Sequence, residues 1–338
     1  MSDERVLVES WRSRVMAQSR SLGLDFAVVQ SYCELTKPRV VSLLIFTAMV
    51  GMLLASPAQM ADINWRVILW ANIGIAFASG AAAAINHVVD RQIDGQMKRT
   101  HARPLPNDAI SVTGALVFAT VLMAISVVVL TVFVNKLTAI LTMAGLVGYA
   151  GIYTGFLKRR TPQNIVLGGA AGAIPPVLGW AAVTGHAPLA SWVLFLIVFL
   201  WTPAHFWPLA ICCREDYAQA CIPMLPVTHG VDRTRREIVK YAVATLVVSL
   251  IPVIANQNAV YAVAATGLGL YYLGMTLRLR HMPADAGMDR YARRVFQTSI
   301  SYLFALFTLL VIGHYMGPSG LVRKAFAAWL TLSRHIAG

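Results

Sequence analysis

Residues 86–106 read NHVVDRQIDGQMKRTHARPLP, and this stretch joins the end of a long apolar segment to a basic loop. Asn86, Asp90 and Asp94 recur every four residues. Each step of four turns only ~40° around an α-helix, so the three side chains share one helix face. Two carboxylates and an amide oxygen, one turn apart, suit a hard cation such as Mg²⁺. The stretch therefore predicts a helix that carries a cation-binding face.

Basic side chains follow this face directly, at Lys98, Arg99, His101 and Arg103. Lysine and arginine suit phosphate oxygens, arginine through a bidentate fork. Ionisable groups beside a membrane span are costly and usually functional. We therefore predict a metal-bridged diphosphate site at the mouth of a membrane helix bundle.

Composition places the chain among membrane proteins. It is 57% hydrophobic and only 13% charged, whereas a soluble protein carries roughly 25% charged residues. Apolar runs of about 20 residues recur, each long enough to span a bilayer. The fold prediction is all-α, a polytopic membrane helix bundle of about nine transmembrane helices with a central cavity open to the cytoplasmic side. The predicted spans are 40–57, 67–89, 110–134, 137–156, 164–183, 190–212, 238–255, 258–276 and 297–315.

The net charge of +13 is explained by topology, since the basic residues lie in loops between spans. With a cytoplasmic N-terminus, the four inner loops carry four, three, five and five Lys+Arg, and the outer turns carry one or none. Those inner loops are 91–110, 157–163, 213–240 and 277–295. We expect no nucleic-acid partner, and we expect the N-terminus and the active-site loops to be cytoplasmic.

The expected domain organisation has three parts. Residues 1–35 form a cytoplasmic N-terminal extension, 36–316 the transmembrane domain and 317–338 an amphipathic tail. The extension lacks the apolar core of a secretory signal, and its acidic residues argue against a transit peptide. A bacterial inner membrane is the expected location. The four cysteines include no CxxC pair and imply no disulfide framework.

Two further groups of residues are candidates for the site. Glu215 and Asp216 follow the sixth span and offer a second acidic edge on the same side of the membrane; alternatively they are solvated charges at a helix end. Tyr153 precedes the basic pair Lys158 and Arg159, which is equally typical of an ordinary positive-inside loop.

The chain resembles the UbiA-type intramembrane prenyltransferases and, within them, the branch that makes haem O. The resemblance covers about 35–315. The stretches that carry it are LTKPRVVSLL (35–44), NHVVDRQIDGQMKRTHARPLP (86–106), YTGFLKRRTPQNIVLGGAAGAIPPVLGW (153–180), WTPAHFWPLAI (201–211) and EDYAQACIPMLPV (215–227). Two positions depart from the family pattern: Ala204 stands where a proline is usual, and Cys221 where a glycine is usual.

The resemblance implies a Mg²⁺-dependent transfer of the farnesyl group of farnesyl diphosphate to a vinyl group of haem B, which gives haem O for terminal oxidases. It implies metal ligation by Asp90, Asp94, Asp216 and Glu215, with Asn86 as a metal ligand or an orienting group. The implied diphosphate-binding residues are Lys37, Lys98, Arg99, Arg103, Lys158, Arg159 and Arg214. Tyr153 and Trp201 are expected to line the prenyl and carbocation pocket.

His205 is the candidate haem-binding residue, although a single histidine at a span end can equally be a hydrogen-bonded structural residue. The acceptor could instead be an aromatic quinone precursor or a chlorophyll-type ring. From a different class, nine spans with acidic residues could form a cation transporter or channel, but transporters place such charges near the bilayer midplane. The expected partners are farnesyl diphosphate, haem B, the lipid bilayer and, for product handover, haem A synthase or oxidase assembly factors.

Overall fold

The structure is a computed structural model, and it describes residues 26–256, 258–283 and 285–316. Within these residues every regular element is helical, as predicted. The helices are α1 Phe26–Leu35, α2 Pro38–Ala55, α3 Trp65–Gln96, α4 Val112–Phe133, α5 Lys136–Val147, α6 Asn164–Ala173, α7 Pro175–Thr184, α8 Leu189–Cys212, α9 Arg214–Gln219, α10 Leu225–Thr228, α11 Gly230–Ser249, α12 Ile251–Asn256, α13 Ala259–His281 and α14 Ala286–Met316. A π-helical turn at Gly148–Thr154 and 3₁₀ turns at Met60–Asp62 and Leu157–Arg159 connect them.

In the described part of the chain, eight helical segments are long and apolar enough to cross a membrane. The predicted seventh span, 238–255, is divided between α11 and α12. The first eleven residues of α11 carry six charged side chains, which makes this helix too polar to meet the same criterion. It still packs between α8 and α13. The membrane bundle is confirmed, while the count of nine spans and the cytoplasmic opening of the cavity remain predictions.

Helix α3 organises the half of the bundle that carries the polar face. Its 32 residues extend about 48 Å at 1.5 Å per residue, well beyond the ~30 Å hydrocarbon core of a bilayer. The predicted span 67–89 therefore continues for two further turns, and Asp90 and Asp94 lie within the helix. Small residues let neighbours approach α3: the Ser126 hydroxyl of α4 donates to the Gly74 carbonyl at 2.7 Å.

A close seam between α2 and α7 closes the bundle beneath the polar face. A Cβ atom at Gly51 would lie 2.2 Å from the Pro176 carbonyl oxygen, and one at Gly179 only 2.0 Å from the Ala48 carbonyl oxygen. No side chain fits in such gaps, so glycine is required at both crossings. The predicted span 164–183, which is rich in glycine and proline, is broken into α6 and α7 at Pro175.

Most of the expected extension, residues 1–25, and the expected tail, residues 317–338, lie outside the described residues. Residues 26–35, the end of the expected extension, form α1. This helix packs on the start of α4, where the Tyr32 and Phe118 rings lie 5.0 Å apart.

Cys221, one of the two departures from the family pattern, lies in the turn after α9. Its φ of 53° is left-handed, a conformation that favours glycine because a Cβ atom crowds the backbone there. The backbone thus gives a physical reason for the glycine that is usual at this position. Ala204, the other departure, is fully buried in α8, and its carbonyl accepts a hydrogen bond from the Tyr272 hydroxyl at 2.9 Å.

Candidate active site

The predicted polar face of α3 is present. Asn86, Asp90 and Asp94 are all buried, with at most 4% of each residue exposed. The Asn86 amide donates to Asp90 Oδ2 at 2.8 Å, which ties the first two members together. Buried carboxylates are costly unless they are paired, so the partners of this face define the site.

Each member of the face has one basic partner, and each partner comes from a different segment. The Lys37 ammonium donates to Asn86 Oδ1. Lys158 Nζ lies 2.5 Å from Asp90 Oδ2, and an Arg103 guanidinium nitrogen lies 2.7 Å from Asp94 Oδ2. Three predicted diphosphate-binding residues therefore converge on the predicted metal-binding face.

Proline sets the position of Lys37. The residue before a proline is disfavoured in the right-handed helical region, and Lys37 adopts a left-handed conformation with φ 51° and ψ 59° just before Pro38 starts α2. This turn aims the ammonium across to α3. Such strained positions are common at functional sites.

Local hydrogen bonds hold the other two basic residues. The Asn164 side chain donates to the Lys158 carbonyl at 3.1 Å, and Arg159 donates to the Val89 carbonyl at 2.9 Å. In the 97–110 loop, the buried Thr100 hydroxyl donates to the Asp94 carbonyl at 2.9 Å. The loop thus folds back on the end of α3, which brings Arg103 to Asp94.

The site is crowded with positive charge. Burial, together with the nearby charges of Arg103 and Lys158, lowers the pKa of Lys37 from its usual 10.5 to about 7, although Asp90 and Asp94 oppose the shift. A lysine in this setting holds its proton weakly until an anion arrives. The arrangement therefore favours binding of a polyanion.

A metal ion fits this donor set when a ligand completes it. The buried Asp90 Oδ1 has no hydrogen-bond partner among the described residues. Those residues also contain no ready group of three His, Cys, Asp or Glu side chains that could hold a metal ion. Mg²⁺ is typically bound by one or two carboxylates plus substrate phosphates, so Asp90 and Asp94 suit it in the presence of a diphosphate.

The second acidic edge, Glu215 and Asp216, lies on the short helix that follows α8. Glu215 is exposed and Asp216 half-buried on the short helix α9. Burial raises the pKa of the neighbouring Tyr217, and the nearby charges of Arg99 and Arg103 oppose that rise. Met97, at the start of the 97–110 loop, belongs to the same buried cluster as Tyr217 of α9. Whether Glu215 and Asp216 ligate a metal ion remains a prediction.

The remaining predicted basic residues are not part of the central cluster. Arg214 turns away to the start of α14, where it pairs with Asp289 at 2.7 Å. Lys98 and Arg99 are exposed at the rim. Arg159 is exposed and donates a hydrogen bond to the Val89 backbone carbonyl of α3.

The predicted aromatic residues lie in two places. Tyr153 stacks on Tyr149 with 5.5 Å between ring centroids, within the π-helical turn near Lys158. Trp201 is buried in α8 and donates to the Ser299 carbonyl of α14 at 3.0 Å. His205 stacks between the Trp201 and Phe296 rings, with centroid distances of 4.2 and 4.5 Å, and its Nδ1 lies 2.6 Å from the Ser299 hydroxyl.

Two residues of the site were missed by the sequence analysis. Thr154 accepts from the Asn86 amide at 3.2 Å and belongs to the π-helical turn. Tyr149 lines the cavity below Lys37. His87 was not missed, because it follows Asn86 directly and the sequence predicts that it flanks the acidic face; it is buried, and neither ring nitrogen has a hydrogen-bond partner among the described residues. The sequence of this turn, GYAGIYT, carries no periodic signal that would have revealed it, although π turns occur often at functional sites.

Residues 44–300 match the UbiA prenyltransferase family. The chain belongs to this family. Two relatives named "Protoheme IX farnesyltransferase" are similar across nearly their whole length. The one from Marinobacter nauticus is 52% identical over 289 residues, which is 85% of this chain and 93% of the relative. The one from Pseudomonas fluorescens, numbered 1, is 50% identical over 292 residues, 86% of this chain and 95% of the relative.

Solved structures agree with the UbiA fold. A digeranylgeranylglyceryl phosphate synthase superposes with a TM-score of 0.69 at 18% identity, covering 85% of this chain and 99% of that one. A UbiA homologue from Archaeoglobus fulgidus bound to DMAPP and Mg²⁺ superposes with a TM-score of 0.58 at 16% identity, covering 82% and 99%. At these identities the likeness shows the shared fold.

Proposed function

We propose that this UbiA-family protein transfers the farnesyl group of farnesyl diphosphate to a vinyl group of protohaem, which yields haem O and diphosphate. The observation that carries the proposal is the buried Asn86/Asp90/Asp94 face, ringed by Lys37, Lys158 and Arg103. The similarity to relatives named for protohaem farnesylation supports the choice of donor and acceptor.

The chemistry needs charge stabilisation more than a side-chain nucleophile. The bond between C1 of the prenyl chain and the diphosphate oxygen breaks, and the electron pair leaves with the diphosphate. The π electrons of the vinyl group form the new carbon–carbon bond. Water then adds to the carbocation on the former vinyl group and loses a proton, which gives the hydroxyethyl group.

Charged residues of the face perform the first step in this proposal. Lys37, Lys158 and Arg103 donate to the diphosphate oxygens as negative charge develops there. When the diphosphate binds, Lys158 gives up part of its contact with Asp90, and Arg103 gives up part of its contact with Asp94. Both side chains then donate hydrogen bonds to the diphosphate instead. Asp90 and Asp94, with Asp216 and Glu215 as further proposed ligands, would hold Mg²⁺, and the ion would supply charge neutralisation to the leaving group.

The acceptor is proposed to lie along the seam between α8 and α14. There His205 is half-buried between Trp201 and Phe296. About one turn from Phe296 on α14, Arg293 is exposed and has no ion-pair partner among the described residues, so it suits a haem carboxylate. The proposed setting is a bacterial inner membrane, with the charged end of the site in the cytoplasm and direct handover of the poorly soluble product to haem A synthase or an oxidase assembly factor.

The test is a transfer reaction in nanodiscs with protohaem and farnesyl diphosphate, followed by separation of the pigments by mass. The expected product has the mass of protohaem plus one farnesyl group and one hydroxyl group. Unchanged protohaem with prenyl transfer to an added 4-hydroxybenzoate or chlorophyll-type ring would discard the acceptor. Failure to release diphosphate from any prenyl donor would discard the enzyme class.

A further inference from the structure

An apolar cavity runs from the charged face into the bundle. It lies between α2, α3, α5 and the α6–α7 break, and its volume is about 140 Å³. Lys37 and Tyr149 stand at its charged end, and its walls are mostly small or aliphatic side chains such as Ala78, Ala82 and Gly172. An uncharged chain attached to a diphosphate at Asp90 would enter here.

The depth of the cavity can be measured along α3. Its deepest lining residue on this helix is Ile75, eleven residues before Asn86. At 1.5 Å per residue this separation is about 16 Å. An extended isoprene unit adds four carbon–carbon bonds of about 1.5 Å each, or about 5 Å of length, so three units need about 15 Å.

The floor of this cavity is solid. Ile75 and Leu178 are buried, with 1% and 3% of their surfaces exposed, and both belong to a packed cluster that continues below with Met52, Ile68 and Ala71. The α2–α7 seam at Gly51 and Gly179 closes the same region backbone to backbone. A longer chain would have to displace packed side chains, because close-packed interiors resist added volume.

We propose that Ile75 and Leu178 select the length of the prenyl donor by closing this cavity after three isoprene units. The inference rests on the proposed function, since it requires the donor's diphosphate to bind at Asn86, Asp90 and Asp94. It assigns a specificity role to Ile75, about 16 Å from Asn86 along α3, and to Leu178 of α7, which lines the same cavity. The three isoprene units of farnesyl diphosphate fit within the depth of the cavity. The fourth unit of a longer donor would collide with Ile75 and Leu178.

One side wall offers a competing route for a longer chain. Gly145, Ala171 and Ile174 line both this cavity and a separate outer groove near Phe195. The wall is closed where a Cβ atom at Gly145 would lie 3.3 Å from Ile174 Cγ2. If length were limited at this wall, trimming Ile174 would relax selection and trimming the floor would not.

The experiment compares donors with two, three and four isoprene units by their kcat/KM in haem transfer and by their ability to displace a labelled farnesyl diphosphate. Ile75→Ala and Leu178→Ala each remove three carbons of floor, and each is expected to lower the preference for three over four units by about tenfold or more. Ser79→Leu adds bulk seven residues from Asn86, about 10 Å deep, and should shift preference toward two units. Ile68→Ala is the matched control, an equal truncation on the same helix below the floor.

Three outcomes would overturn the proposal. The preference among donor lengths could stay unchanged in both floor variants and in Ser79→Leu, or it could shift as much in Ile68→Ala as in the floor variants. It could also shift only in Ile174→Ala. If a floor variant fails to fold, Ser79→Leu still tests the proposal, because it shortens the cavity whereas the floor variants lengthen it. The displacement assay reads length preference without an acceptor. A wild-type protein that discriminates donors but leaves haem unchanged would therefore refute only the proposed acceptor.

Discussion

Replacing Lys158 with methionine tests the buried ion pair between Lys158 and Asp90. Methionine keeps most of the side-chain length and removes the ammonium that lies 2.5 Å from Asp90 Oδ2. Asp90 is only 1% exposed and would keep the Asn86 amide as its hydrogen-bond donor. Breaking a buried ion pair by removing one partner costs about 3–5 kcal/mol. We expect the lower end, about 3 kcal/mol, because the Lys158 side chain is 13% exposed and other basic residues remain close.

The loss of activity should be separate from the loss of stability. Lys158 is proposed to donate to the leaving diphosphate, and removal of one such donor typically lowers kcat by about 10²–10³, or about 3–4 kcal/mol. In the double variant Lys158→Met/Asp90→Asn, no buried carboxylate is left uncompensated. The double variant should therefore recover much of the stability and none of the activity.

The assay measures thermal unfolding in detergent and the rate of farnesyl transfer for the same preparations. Arg160→Met is the matched control, because Arg160 is an exposed cation two residues away whose guanidinium lies over the Phe156 ring at 4.1 Å. That change should cost at most about 1 kcal/mol and leave the rate nearly unchanged. The reasoning would be refuted if Lys158→Met and Arg160→Met lost the same stability and the same farnesyl-transfer rate. It would also be refuted if the double variant were no more stable than Lys158→Met.

Two further predictions concern backbone and packing. Gly168→Ala should destabilise the protein by about 1–3 kcal/mol and lower activity, because the new Cβ would lie 2.2 Å from the Tyr153 ring. Gly267→Ala, where a Cβ meets nothing within 4 Å, is the control and should be neutral or stabilising in the same thermal assay. Cys221→Gly should raise stability by about 1 kcal/mol, since glycine adopts the left-handed conformation without a Cβ penalty. A lower melting temperature for Cys221→Gly would contradict that account of the turn.

The charged face could be predicted from the sequence because residues spaced by four always lie on the same side of an α-helix. Asn86, Asp90 and Asp94 point together whatever the tertiary packing, and the loop that follows α3 has few ways to place Arg103 except back on the helix end. The bundle itself was predictable from the apolar runs, because lipid requires each span to satisfy its own backbone hydrogen bonds.

The features that were missed depend on contacts between distant segments. Arg214 was grouped with the diphosphate ligands, yet it pairs with Asp289, 75 residues away. The π-helical turn at Gly148–Thr154 has no sequence period of its own, so the role of Thr154 could not be foreseen. The seventh span was placed on an apolar run, whereas α11 begins eight residues earlier, in a charged segment that packs between α8 and α13.

The most direct measurement compares haem farnesylation by the wild type and Asp90→Asn, each with Mg²⁺ present and with Mg²⁺ chelated. Asp108→Asn is the matched control, because Asp108 is exposed at φ 54° and asparagine tolerates that conformation. The account predicts Mg²⁺-dependent farnesylation of haem by the wild type and Asp108→Asn, and a rate at least about 10³-fold lower in Asp90→Asn. Farnesylation that survives chelation, or that proceeds at the wild-type rate in Asp90→Asn, would contradict the claim that this face binds the metal and the diphosphate.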